Sequence, residues 1–139
     1  MKIIVRNSNL VFEKKVVKNY VEGKYISASG DIGTDDSCVL TADFVSIDVN
    51  KDLLWKFGNG TRLDQKCICF YDSDKNFITY WAMAQSPSST ETQRRISSAA
   101  IKKEAVNAKF VKASFFKHSD IGLYQDDIAI FEPEPKIVE

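Results

Sequence analysis

What most constrains this chain is a two-residue alternation of side-chain character that recurs along most of its length. Val45, Ile47 and Val49 alternate with Phe44, Ser46 and Asp48, and Leu53, Trp55 and Phe57 share a face against Leu54 and Lys56. Cys67, Cys69 and Tyr71 stand opposite Lys66, Ile68 and Phe70. Phe77, Thr79, Trp81 and Met83 then oppose Ile78, Tyr80, Ala82 and Ala84. Val111, Ala113 and Phe115 alternate with Phe110, Lys112 and Ser114, and an apolar run at 128–131 closes the series. Successive side chains on a strand point to opposite faces, so the pattern specifies strands, and helical spacing is hard to find. The runs are short and separated by polar segments at 29–36 and 58–61, where glycine and asparagine accept positive φ. Short strands punctuated in this way predict an antiparallel sandwich or barrel.

A length of 139 residues suits one domain that buries a real core without disulfides. The organisation expected is an N-terminal strand within 1–15, a core from about 24 to 131, and a Pro/Glu-rich tail over 132–139. Proline lacks the N–H donor, so Glu132-Pro133-Glu134-Pro135 is expected to end the fold. Residues 85–98, polar on both sides, read as a loop with at most a helical turn. Lysine plus arginine and aspartate plus glutamate each number 19, so there is no positive excess for a nucleic-acid partner. The N-terminus has three consecutive apolar residues, against the about 7–15 of a secretory signal and about 20 of a membrane helix. A soluble chain with no membrane partner is expected. Cys38, Cys67 and Cys69 fit neither a strain-free bridge nor a zinc pattern and read as free buried thiols.

The stretch Asp72-Ser73-Asp74-Lys75-Asn76 places oxygen side chains at alternate positions, as a calcium loop does. An EF-hand loop needs glycine at its sixth position and a bidentate glutamate at its twelfth. Those positions hold Phe77 and Met83, and the flanks alternate like strands. Aspartate and asparagine bond nearby backbone amides, so the stretch reads as a turn between two strands.

No residue pattern announces a reaction. His118, the one histidine, has Ser119 and Asp120 as sequence neighbours, but no nucleophile motif accompanies it, and it reads as a loop residue. Asp43, Asp48, Asp64 and Asp72 fall at turns and strand ends rather than as a carboxylate pair. Gly58-Asn59-Gly60-Thr61 lacks the lysine of a phosphate loop. The chain is therefore expected not to be an enzyme. Binding is easier to argue, because aromatic residues make up 12% of the chain and strands have one face free for them. Tyr80 and Trp81 are adjacent, so one faces the core and the other is a ring platform. Phe110 and Lys112 share a face that adds a ring and a charge, and Asn59 and Arg62 flank the Gly-rich turn where they would line a pocket. Trp55 reads as core. Tyr80, Trp81, Arg62, Asn59, Phe110 and Lys112 are thus the candidate ligand-binding residues.

Four segments in order carry a resemblance: 25–30 (YISASG), 41–47 (TADFVSI), 69–78 (CFYDSDKNFI) and 107–115 (NAKFVKASF). The series resembles the galactose-binding-like or carbohydrate-binding-module β-sandwiches of phage tail proteins and of glycan-active proteins of gut bacteria. It covers about residues 24–131 and departs from the family strand in having Val106, not a proline, before Asn107. The resemblance implies an all-β jelly-roll sandwich of two antiparallel sheets. Its core would draw on Val45, Ile47, Trp55, Phe57, Phe70, Val111 and Phe115. It implies a non-catalytic module that recognises a glycan through exposed aromatics. The alternative is a structural or receptor-binding component of a phage or prophage tail, self-associating or contacting other virion proteins. A product of that kind is virion-associated or cytoplasmic as made. Some relatives hold a structural calcium, for which Asp31, Asp35 or Asp36 with Glu132 would be the counterparts, but no metal and no cofactor is expected here.

Overall fold

The alternating runs become strands in a computed structural model that describes residues 3–4, 11–13, 19–59, 66–83, 91–117, 120–133 and 136–138. In chain order these are β1 (Ile3–Ile4), β2 (Val11–Glu13), β3 (Tyr20–Ile26), β4 (Ile32–Thr41), β5 (Val45–Ser46) and β6 (Leu53–Lys56). There follow β7 (Cys67–Tyr71), β8 (Phe77–Ala82), β9 (Gln93–Ile96), α1 (Ser98–Ala105) and β10 (Phe110–Phe116). The last are β11 (Gly122–Gln125), β12 (Ile128–Phe131) and β13 (Lys136–Val138). One sheet runs β3-β4-β10-β7-β8 with β5 also on β10, and a second runs β12-β11-β6-β9. All pairings are antiparallel. The two pack face to face as an all-β sandwich, and the chain switches sheets after β5, β6, β8, β9 and β10.

The core between the sheets matches the expected one. Trp55, Phe57, Phe70, Val111 and Phe115 are fully buried, Val45 is buried, and Ile47 packs against them half-buried. Trp55 donates its indole N–H to the Ser114 carbonyl of the opposite sheet at 3.0 Å, so its polar edge is satisfied. Trp55 meets Phe57 edge-on at 4.9 Å, and Phe115 stacks on Phe131 at 5.2 Å.

Two expectations need correction. Residues 85–98 are not all loop: β9 begins at Gln93, and α1 opens on the Ser97 side chain, which accepts the Ala100 N–H at 3.1 Å. Only Ile96 of β9 and Ile101 and Ala105 of α1 are buried, so each element shows a single thin apolar line. The tail is not the end of regular structure either. β13 pairs with β2, which also pairs with β1, in a small three-stranded sheet. The prolines precede β13 and so do not interrupt its ladder.

β7 is buried on both faces, which a half-exposed strand would not be. Its second face is covered by the β3–β4 hairpin folded back on its own sheet. Glu22 pairs with Val39, but Lys24 pairs with Thr34, so Gly23 at φ +78° stands opposite four residues of β4. Beyond this bulge the distal hairpin lies over β10 and β7, and Ile26 packs with Leu40, Cys67, Cys69 and Tyr71. Ser114 Oγ accepts the Ile26 N–H at 2.8 Å and donates to the Ile26 carbonyl at 3.3 Å. Cys69 donates its thiol proton to the Ser27 carbonyl at 3.3 Å. Lys66, 2% exposed, lies 3.2 Å from Asp35 and 5.0 Å from the Tyr25 ring centroid. Hydrogen bonds from Ser37 and then the Lys66 charge hold the Asp35 carboxyl below its ordinary range.

Replacing Ser114 by alanine leaves the buried N–H and carbonyl of Ile26 without their partner. We expect a loss of about 2–3 kcal/mol in urea unfolding, with faster labelling of Cys69 by thiol reagents. Burial also pushes the Cys38 thiol up to about 11 and those of Cys67 and Cys69 up to about 12. An unfolded thiol ionises near 9 while the folded ones stay protonated, so stability is fully present below that pH and declines as pH climbs toward 11–12. The urea midpoint should fall across that window, and less steeply in the Cys67→Ala/Cys69→Ala variant.

Candidate functional site

Inward positions of the four-stranded sheet are Leu53, Trp55, Ile96, Leu123 and Phe131, all buried. The alternate positions face outward in two rows. Arg95, Leu54 and Tyr124 are register neighbours, as are Gln93, Lys56 and Gly122 one step along. On this face lie two depressions of about 360 and 250 Å³. The larger is lined by Leu54, Arg95 and Tyr124 from the strands, by Asn50, Lys51 and Asp52 from the loop before β6, and by Asp126 and Asp127. The smaller is lined by Lys56, Gly58, Asn59, Thr92, Gln93 and Asp120. They follow one another along β6, at positions 54 and then 56 to 58.

Each wall has a structural reason for its position. Asp126 and Asp127 take positive φ in the two-residue turn between β11 and β12, the conformation a tight hairpin requires. Buried Gln125 staples the loop before β6 to β11: its Oε1 accepts the Asp48 N–H at 3.0 Å, and its Nε2 donates to the Asp48 carbonyl at 2.8 Å. Asp52 accepts the Ser98 N–H at 2.8 Å, which ties the same loop to the first turn of α1. The charges face each other in pairs, Lys51 with Asp126 at 3.1 Å, Arg95 with Asp52 at 3.7 Å and Lys56 with Asp120 at 3.2 Å. Asp127 has no ion-pair partner among the described residues.

The Tyr124 ring lies across Gly122. A Cβ at that glycine would stand 2.9 Å from the tyrosine oxygen and 3.0 Å from Cε1, so only glycine leaves room for the ring. The hydroxyl donates to Glu132 Oε2 at 2.7 Å, and the Lys56 ammonium sits 5.4 Å from the ring centroid. Glu132 is 4% exposed, and its Oε1 has no hydrogen-bond partner among the described residues. Burial, with the Glu132 carboxylate behind the hydroxyl, pushes the Tyr124 phenol well above its usual range. The phenol therefore stays protonated, an oriented donor and apolar surface rather than a nucleophile.

The six residues nominated from sequence fall in different places. Asn59 lines the smaller depression. Tyr80 is the outward ring, 43% exposed, whereas Trp81 packs on Phe70 at 4.9 Å against the core. Phe110 and Lys112 sit on the back of the other sheet with Phe44, whose ring centroid is 5.9 Å from that of Phe110 and 4.8 Å from the Lys112 ammonium. Arg62 lies outside the described residues, as do Asp64, His118 and Ser119. Tyr124 and Arg95 were missed; the one signal for Tyr124 was its place two residues after a glycine, just before the Asp126-Asp127 turn.

The stretch at 72–76 is a turn: Asp72 Oδ1 accepts the N–H groups of Asp74 and Asn76, both at 2.9 Å, and Lys75 takes φ +66°. Among the described residues no group of three or more His, Cys, Asp or Glu side chains is placed to hold a metal ion. Asp35 is engaged by Ser37 and Lys66, and Glu132 by Tyr124. No helix among the described residues is long and apolar enough to cross a membrane. No family model, curated protein or solved structure matches the chain.

Proposed function

We propose that this protein is a non-catalytic carbohydrate-binding module whose ligand lies along the outer face of the four-stranded sheet. One observation carries the reading: the Tyr124 ring, laid over Gly122 and pinned by Glu132, floors a groove walled by paired charges. Sugars present an apolar C–H face beside a rim of hydroxyls, and a rigid ring next to fixed donors and acceptors matches both. The groove is stapled by Gln125 and Asp52, so binding loses little conformational entropy. All its charges but that of Asp127 are already neutralised in pairs, which favours neutral hydroxyl-rich ligands over ionic ones. The phenol, held as a hydrogen-bond donor by Glu132, favours retention without reaction.

Tyr124→Ala should weaken binding of a glycan-array hit at least tenfold in calorimetry, Arg95→Ala less, and Tyr80→Ala not at all, with near-ultraviolet spectra confirming native packing. A wild-type protein that binds no glycan on the array sinks the reading. The tail-component reading is favoured by a different observation, the edge position of β3 with Tyr20 and Val21 exposed. It expects concentration-dependent association in sedimentation that Val21→Lys abolishes.

A further inference from the structure

The back of the six-stranded sheet carries a second surface, separate from the groove. Phe44, from the loop between β4 and β5, stands edge-on to Tyr71 at 4.9 Å and to Phe110 at 5.9 Å. Tyr71 meets Phe77 at 6.0 Å. Two ammonium groups converge on the Phe44 ring, that of Lys112 at 4.8 Å and that of Lys75 at 5.2 Å, and Lys75 also lies 5.8 Å from Phe110. The positive φ at Lys75 belongs to the 72–76 turn, which Asp72 caps, so this side chain leaves from a fixed backbone. Tyr71 pairs with Phe77 and Cys69 with Tyr80 on this face, and Phe77 and Tyr80 are 42% and 43% exposed.

The charge pattern differs from that of the groove. There Lys51, Lys56 and Arg95 each have a carboxylate within 4 Å. Lys75 and Lys112 have none among the described residues: Asp74, the sequence neighbour of Lys75, makes no ion pair with either, and Asp72 is occupied by the amides of its own turn. Two cations held on one ring without counter-charge, beside two exposed rings, suit a ligand that carries a carboxylate and an apolar face together.

We propose that Phe44, Lys75, Phe77, Tyr80 and Lys112 form a second binding site, for an acidic sugar of the hexuronate type. The carboxylate is received by the two ammonium groups and the C–H face of the ring by Phe77 or Tyr80. The bond is ionic at its centre and therefore weakens with salt. The site works independently of Tyr124 and does not rest on the groove's having a ligand.

The probes are an oligogalacturonate, the corresponding neutral oligogalactose and a Glu-rich peptide, each titrated into the isotope-labelled full chain by NMR. The oligogalacturonate should shift the amides around 75–80 and 110–112, and binding should fall at least tenfold in Lys75→Gln/Lys112→Gln and severalfold on adding salt. Tyr124→Ala should leave it unchanged. Neutral oligogalactose should leave those amides unmoved. Shifts of equal size and affinity with the peptide would reassign the surface to an acidic protein segment and overturn the sugar assignment. No shift there with any probe, or oligogalacturonate binding that survives the double substitution, would overturn it outright.

Discussion

A strand with no side chain left for water sets the architecture. Every residue of β7 is buried, with Ile68 and Phe70 in the core between the sheets and Cys67, Cys69 and Tyr71 against the opposite face. A sandwich covers only one face of each sheet, so a second cover is needed. The β3–β4 hairpin supplies it by doubling over at Gly23. Its polar backbone is then buried, and it is satisfied by side chains where no neighbouring strand is in reach. Ser114 takes the part of a ladder partner for Ile26, and Cys69 does so for Ser27.

This arrangement leaves the two sheets with different duties. The six-stranded sheet is committed to packing on both sides over its centre, while its margin around Phe44 and Phe77 and its β3 edge stay open. The four-stranded sheet buries one face alone, and its other face is free to carry polar side chains. The groove therefore sits where the fold makes no further demand. Its residues stand on strands and on a loop fixed by Gln125, so their positions follow from the core alternation of Leu53, Trp55 and Leu123.

The layered fold was legible because period-two patterning is a local property, and Trp55, Phe57, Val111 and Phe115 announced their inward faces one by one. The turn at 72–76 was legible for the same reason, since Asp72 bonds amides two and four residues away. β9 and α1 escaped notice because each rests on one or two apolar residues within polar sequence, and Arg94 reaches the Ala82 carbonyl at 2.7 Å with no pattern to announce it. The groove was almost invisible. Arg95, Leu54 and Tyr124 come from strands far apart in the chain and meet only through register, which no single segment encodes. Counting aromatic residues pointed to Tyr80 and Trp81, but the ring that floors a depression is the one with a glycine beneath it.

The folded-back hairpin is joined to the molecule unevenly. Near its base the ladder of Tyr20 to Glu22 with Val39 to Thr41 is continuous with the sheet, whereas past Gly23 it is fastened by the packing of Ile26, a serine hydroxyl, a thiol and one lysine–aspartate contact. Swinging the hairpin out at Gly23 would uncover Cys67, Cys69 and Tyr71 and cost the packing of Ile26, yet break no ladder between the sandwich strands.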